Sequence, residues 1–137
     1  MEEPWLAGKK MLLLEPRRLA ARNAAHRLAA QLNEKPGGTV GYRMRLDTRV
    51  GKDTIIEVIT EGILTRMLLS DPSLAEVGLV IFDEFHERSL ESDLGLALAL
   101  QGRSLFRGQA DPLKILVMSA TLDSDAISKL LDDAPVI

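Results

Sequence analysis

Two adjacent acids stand at the end of an apolar run in the second half of the chain. Asp83 and Glu84 directly follow the residues 79–82, Leu-Val-Ile-Phe, which have the composition of a buried strand. Magnesium prefers hard oxygen ligands and keeps several of its waters, so Asp83 alone could bind it beside nucleotide phosphates. Glu84 could then position or deprotonate an attacking water. The pattern suits phosphoryl transfer, although an acid pair alone is also typical of a solvated turn.

Three other apolar runs end in a compact polar or small-residue signature. These are Glu15-Pro16-Arg17-Arg18 after Leu14, Thr60-Glu61-Gly62 after Ile59, and Ser119-Ala120-Thr121 after Met118. Each alone could be a helix cap, an exposed helix start or a small loop. In a parallel sheet, however, the carboxyl ends of the strands share one edge, and open α/β folds bind ligands there. Four signatures in this arrangement therefore favour a functional site.

The order of apolar runs predicts the elements that would position these signatures. Strands are predicted at 10–14, 54–59, 79–82 and 114–118, with a weaker one at 39–42, and turns at 37–38, 51–53 and 111–112. Helical periodicity is found at about 17–33, 61–70, 91–105 and 123–131. Alternating strands and helices are typical of a mainly parallel sheet with helices on both faces, so the predicted class is α/β.

Composition excludes several classes of protein. The 137 residues, 46% of them hydrophobic and 27% charged, predict a single globular domain. The chain has no cysteine, which excludes a disulfide framework and agrees with a cytoplasmic location. No apolar run reaches the roughly 20 residues of a membrane span. Because the net charge is −3, contact with nucleic acid would depend on local arginines and backbone amides.

Two arginines open a predicted helix, where the macrodipole disfavours cations by about 0.3–1 kcal/mol each. An anion bound at that end would remove the conflict, because amides at a helix start and guanidinium groups both bind phosphate. Arg17 and Arg18 are therefore candidates for contact with a sugar–phosphate backbone, as are Thr60 and Gly62 at the next helix start. A solvated face is the favoured interpretation of the remaining local arginines, Arg43, Arg45 and Arg49.

The four signatures resemble motifs of one family. Asp83-Glu84-Phe85-His86 resembles the DEAH box, and Ser119-Ala120-Thr121 resembles motif III of superfamily 2 helicases. The segment from Glu15 to Ala21 resembles motif Ia, and that from Thr60 to Leu64 resembles motif Ib. The phenylalanine in the box, with Glu87-Arg88-Ser89-Leu90 after it, is similar to the bacterial HrpB-type branch of DEAH helicases. The resemblance covers essentially the whole chain.

For such a protein the resemblance implies a RecA-like first motor domain, built as a three-layer sandwich. It implies ATP and Mg²⁺ as cofactors and the backbone of RNA or DNA as a partner. The metal and nucleotide residues would be Asp83 and Glu84, and His86, Ser119 and Thr121 would couple hydrolysis to strand movement. The nucleic-acid contacts would be Arg17, Arg18, Thr60, Glu61 and Gly62.

One family motif is missing from the sequence. The chain contains no Gly-x-x-x-x-Gly-Lys-Ser/Thr, the loop that binds the nucleotide phosphates. The nearest match, Gly8-Lys9-Lys10, lacks the first glycine and precedes a strand. We therefore expect residues 1–137 to be part of the first motor domain, with motifs Ia, Ib, II and III but not motif I. The Walker A segment and a second RecA-like domain would belong to the rest of the parent chain. The fragment alone is expected to be inactive, with a sheet that is incomplete on its amino-terminal side.

The incomplete sheet carries a further expectation. Without the strand that feeds the phosphate loop, the strand at 114–118 would have an unpaired edge. We expect either self-association or a covering of Leu116 and Met118 by the amino-terminal segment.

Two alternatives remain open. One is a RecA-like module that binds nucleic acid or protein without hydrolysis, and the coding sequence upstream of Met1 would separate it from a motor. The other is a magnesium phosphohydrolase of another fold that uses Asp83, which leaves three signatures unexplained.

Overall fold

A computed structural model describes residues 6–85, 89–108, 111–119, 127–129, 131 and 135. Strands and helices alternate along most of the chain. In order they are β1 (Lys10–Leu14), α1 (Arg18–Gln31), β2 (Val40–Met44), β3 (Asp47–Arg49), β4 (Ile56–Ile59), α2 (Glu61–Ser70), β5 (Val77–Phe82), α3 (Leu90–Phe106) and β6 (Lys114–Val117). No helix in these ranges combines the length and apolar composition that a bilayer crossing requires.

The strands form one sheet in the order β3-β2-β4-β1-β5-β6. All neighbours are parallel except β2 and β3, which form an antiparallel hairpin. The predicted α/β class with a mainly parallel sheet is confirmed. The strand predicted at 54–59 begins only at Ile56, because Thr54 belongs to the preceding turn. Its hydroxyl donates to the carbonyl of Gly38 at 2.6 Å and accepts from the Gly51 amide at 2.9 Å.

The sequence pattern does not predict β3, which has three polar residues, Asp-Thr-Arg. Its conformation depends on partners elsewhere. Asp47 accepts hydrogen bonds from the Tyr42 hydroxyl at 3.2 Å and from Arg22 of α1 at 2.7 Å. Leu46 closes the hairpin with a φ of 65°. These contacts hold β3 against β2, although the sequence of β3 contains no apolar residue that would predict a strand.

Helices cover both faces of the sheet. On one face, α1 packs its alanines, Ala21, Ala24, Ala25 and Ala29, against the apolar side chains of β2 and β4. On the other face, α2 and α3 pack against Leu12 and Leu14 of β1, while Leu13 faces α1. Alternation along a strand thus divides the apolar residues between two cores. The predicted three-layer arrangement is confirmed.

The helix bounds differ little from those expected. α2 has the predicted bounds, and α1 and α3 begin within one residue of the predicted starts. Of the helix predicted at 123–131, residues 127–129 are described and helical, residue 131 is described as a turn, and residues 123–126 and 130 lie outside the described residues.

β6 is the last strand at one end of the described sheet. Leu116 is 42% exposed and Met118 is 38% exposed. Among the described residues, β6 therefore has a neighbouring strand on one side only, and the unpaired edge stays a prediction. The covering expected from the amino-terminal segment falls on residues 1–5, which lie outside them.

Candidate functional site

The four predicted signatures lie at one edge of the sheet. Leu14 of β1 is in register with Ile59 of β4 and Phe82 of β5, and Phe82 is in register with Val117 of β6. The backbone continues this pairing past the strand ends. The amide of Glu15 donates to the carbonyl of Ile59 at 3.0 Å, and the amide of Asp83 donates to that of Leu14 at 3.1 Å. Residues that are distant in sequence therefore meet at the carboxyl edge.

The acid pair is fixed in a tight turn. The side chain of Asp83 is half-buried and its Oδ1 accepts a hydrogen bond from the Glu84 amide at 2.8 Å. Glu84 is exposed and has a φ of 56°, a left-handed conformation that a non-glycine residue rarely adopts. Such strain costs about 1–3 kcal/mol and persists only where the surroundings enforce it.

Phe85 supplies part of that enforcement. Its ring is buried and packs edge-to-face on Phe82, with centroids 6.4 Å apart and planes at 87°. Its amide donates to the carbonyl of Met118 at 3.0 Å, and the amide of Met118 donates to the carbonyl of Phe82 at 2.8 Å. The turn at Asp83 and Glu84 is therefore attached to β6 as well as to β5.

Glu15 is a member of the site that sequence reasoning missed. It is 5% exposed, and its carboxyl group lies close enough to that of Asp83 to interact with it. Burial, followed by the hydrogen bond with Asp83 and the charges of Asp83 and Glu84, raises the pKa of Glu15 to about 8; Arg27 opposes the shift. The sequence signal was present, since Glu15 follows β1 as Asp83 follows β5. The adjacency of those two strands is not readable from sequence.

Arg17 and Arg18 stand at the start of α1, as predicted. Arg17 is the N-cap residue in an extended conformation without a capping side-chain hydrogen bond, and the first turn contains no acid. Both side chains are exposed. This helix start therefore has a basic character near the carboxyl edge.

The start of α2 is divided between two environments. Thr60 is the N-cap residue without a side-chain capping bond, and Gly62 is exposed with open space where a Cβ would lie. Glu61, by contrast, is 8% exposed, and its Oε2 accepts a hydrogen bond from the Ser89 hydroxyl at 2.7 Å. Thr60 and Gly62 are open to a ligand, while the carboxylate of Glu61 points into the interface with α3.

Of the three coupling residues, only Ser119 is described. It is half-buried directly after Met118 at the same edge. His86 and Thr121 lie outside the described residues.

A cleft of about 860 Å³ lies along α2 on the side of the β2–β3 hairpin. Glu15, Thr60, Asp83 and Ser119 do not line it. Glu57 does: it is 1% exposed and binds Lys10 at 2.7 Å and Arg43 at 3.2 Å. Arg43, whose side chain is 39% exposed, thus pairs with a buried carboxylate while remaining partly solvated, as the sequence favoured.

Comparison with known proteins gives concordant matches. The family model described as DEAD/DEAH box helicase matches residues 4–130. The chain is 59% identical over its full length to the ATP-dependent RNA helicase HrpB of Escherichia coli K12, and 39% identical over 123 residues to HrpA of the same organism. It spans 16% and 9% of the lengths of those proteins.

The matching solved structures include a crystal structure of the E. coli DExH-box NTPase HrpB. It superposes with a TM-score of 0.87 at 61% identity, covering 95% of this chain and 16% of that one. The predicted RecA-like architecture is confirmed by this match.

Proposed function

Because this chain belongs to the DEAD/DEAH box helicase family, we propose that it is part of the first motor domain of an ATP-dependent RNA helicase. The observation that carries the proposal is the convergence of Glu15, Thr60, Asp83 and Ser119 on the carboxyl edge. At that edge, acids suited to phosphoryl transfer lie beside a basic helix start that is suited to binding nucleic acid. The Walker A segment and the second RecA-like domain belong to other parts of the parent chain.

Asp83 fits a magnesium ion by the chemistry of its neighbours. The raised pKa of Glu15 reflects burial and an accumulation of negative charge that a divalent cation would relieve. No group of three or more candidate ligand residues occurs among the described residues. Asp83 would be one ligand among waters and phosphate oxygens, as magnesium prefers. When bound, the ion would neutralise charge on the phosphates.

Glu84 is suited to act on the attacking water. It is exposed at the turn, while Asp83, half-buried beside it, holds the Glu84 amide. A carboxylate in that position can orient the water and accept its proton as the bond to phosphorus forms. We propose that His86, Ser119 and Thr121 transmit the outcome to the nucleic-acid side.

The sugar–phosphate backbone of RNA would be bound by the starts of α1 and α2. Arg17, Arg18, Thr60 and Gly62 contribute guanidinium groups, a hydroxyl and an accessible backbone, which recognise phosphate without reading bases. Because Glu61 is buried and bound to Ser89, we propose that its side chain holds this surface in place from behind and does not contact RNA directly.

The experiment is Glu84→Gln in the full-length protein that contains this chain. We expect nucleotide binding to remain, because the phosphate loop and the metal supply most of it, and turnover to fall at least about 100-fold. Leu69→Gln, an exposed residue of α2, is the control. Normal turnover of Glu84→Gln would remove Glu84 from the mechanism, and a wild-type protein without RNA-stimulated ATP hydrolysis would refute the proposed function.

A further inference from the structure

The chain contains a hydrogen bond between two helix starts that no part of the proposed chemistry uses. Ser89 is the N-cap residue of α3, six residues after Asp83, and Glu61 is the first residue of α2, directly after Thr60. The Ser89 hydroxyl donates to Glu61 Oε2 at 2.7 Å. The bond joins a helix that follows the acid pair to the helix that opens the candidate nucleic-acid surface.

The geometry of Ser89 directs its proton towards Glu61. Its Oγ already accepts a hydrogen bond from the Ser92 amide at 2.9 Å, in the usual capping arrangement. A hydroxyl has one proton to donate, and here that proton faces a carboxylate that is 8% exposed. Hydrogen bonds to charged groups of low exposure are among the stronger ones in proteins.

Beyond this hydrogen bond, α2 and α3 are closely packed against each other. A Cβ on Gly95 of α3 would approach Leu64 of α2 to 3.1 Å, and a Cβ on Gly102 would overlap the carbonyl oxygen of Pro72, just after α2. The helices approach closely because α3 has glycine at both contact positions. These contacts leave little space between the two helices, so we expect α2 and α3 to move together.

We infer that Ser89 is a positioning residue that couples the nucleotide site to the nucleic-acid surface through its hydrogen bond to Glu61. The inference rests on the proposed function of both surfaces. Ser89 touches neither ligand. Its hydrogen bond attaches Glu61, between Thr60 and Gly62, to the start of α3, which follows the acid pair in sequence. Nucleotide binding at one surface would then alter RNA affinity at the other.

Three substitutions separate this role from simple helix capping. Ser89→Ala removes both the cap and the bond to Glu61. Ser89→Asp keeps an oxygen that accepts from the Ser92 amide, but it cannot donate to Glu61 and places a second carboxylate against it. Ser89→Thr keeps both functions. All three are made in the full-length protein, with thermal unfolding used to compare their stability.

The readout is the affinity for single-stranded oligouridylate with and without a non-hydrolysable ATP analogue and Mg²⁺. Coupling between two sites is commonly about 5- to 150-fold and is reciprocal. We expect Ser89→Thr to keep the wild-type ratio of the two affinities. Ser89→Ala and Ser89→Asp should bring this ratio within about twofold of one. Their hydrolysis without RNA should stay within about twofold of wild type, because the described side-chain hydrogen bonds of Ser89 are with Glu61 and Ser92 and not with the acid pair.

Each alternative result is distinguishable. If Ser89→Asp keeps the wild-type ratio and Ser89→Ala loses it, Ser89 is only a cap and the inference is wrong. A wild-type ratio in both variants would also overturn it. If the wild-type protein hydrolyses ATP and binds RNA with no coupling between them, the proposed function survives without this inference. If it does neither, both fall.

Discussion

At the scale of single residues, the site is governed by two carboxyl groups at the ends of β1 and β5, the buried Glu15 and the half-buried Asp83. The Glu15 carboxyl group interacts with that of Asp83, which adds to the effect of burial in favouring its protonated form. The pKa of Glu15 is raised from its ordinary value of 4.5 to about 8. The raised pKa therefore favours the protonated form of Glu15 in the folded protein at neutral pH, where the unfolded chain has lost that proton.

This proton predicts a dependence of stability on pH. Because the pKa of Glu15 is higher in the folded state, its stabilising contribution is complete below about pH 4.5 and is lost as the pH rises towards 8. In the presence of a chelator, we expect the urea midpoint of the chain to fall between pH 5 and pH 8. Glu15→Gln, which keeps a donor but does not titrate, should reduce that fall.

Exposed Glu76 provides the matched control, since Glu76→Gln removes the same charge from the surface. If the midpoints of wild type and Glu15→Gln run parallel across this range, the carboxyl pair does not titrate as described.

Some residues of the site were predictable from sequence and others were not. Asp83, Glu84 and Ser119 were predictable because each follows an apolar strand that the sequence identifies by itself. The contacts of Glu15 with Asp83 and of Ser89 with Glu61 were not, because they depend on strand order and on helix packing. Neither the position of β1 between β4 and β5 nor the closeness of α2 and α3 is written in a local pattern.

Among the secondary-structure elements, the start of α1 carries the clearest functional expectation. An isolated helix favours acids in its first turn, yet α1 has none there and has Arg17 and Arg18 at its start. In the full-length protein, changing both arginines to alanine should weaken RNA binding similarly for all base sequences. The plot of log affinity against log salt concentration should become less steep by about 1.4, because each lost phosphate contact on a single strand accounts for roughly 0.7 of the slope.

The control variant changes Lys35 and Lys52 to alanine, which removes the same charge from exposed loops that precede β2 and β4. Those loops lie at the opposite edge of the sheet, so RNA binding should change little. A loss confined to one base sequence in the arginine variant would show that Arg17 and Arg18 read bases.

The hairpin shows how far propensity determines an element. β1, β4, β5 and β6 are specified by Leu, Ile and Val, and their existence was predictable, although their ends shifted by up to two residues. β3 is specified by Tyr42 and Arg22, which bind Asp47 from other elements. A polar three-residue strand of this kind has no signal in its own sequence.

At the scale of the molecule, β6 has a neighbouring strand on only one side within the described sheet. Leu116 is 42% exposed on a strand whose outer hydrogen-bonding groups have no neighbouring strand in the described sheet. Such edges recruit other chains, so we expect the 137-residue chain to self-associate as its concentration rises. Leu116→Lys should reduce the weight-average mass in sedimentation, whereas Leu69→Lys, which changes a more exposed leucine of α2 (72%), should not. A chain that stays monomeric at all concentrations contradicts this expectation.

We expect ATP hydrolysis to require parts of the parent protein outside these 137 residues. The sequence has no phosphate-binding loop, and one carboxylate with water cannot supply the amides, lysine and hydroxyl that hold a triphosphate. We expect the 137-residue chain alone to bind magnesium-ATP weakly at most and to release no measurable phosphate. Calorimetry followed by a phosphate-release assay tests both parts, and micromolar affinity would mean that another segment holds the phosphates.

The left-handed backbone at Glu84 has a consequence for how this position can vary. Glycine adopts a φ of 56° without strain, and asparagine does so more readily than glutamate. The backbone and the proposed chemistry therefore select for different amino acids at the same position. A screen for thermal tolerance alone would enrich replacements of Glu84 that relax the turn and abolish turnover, while a screen for activity would keep the strained residue.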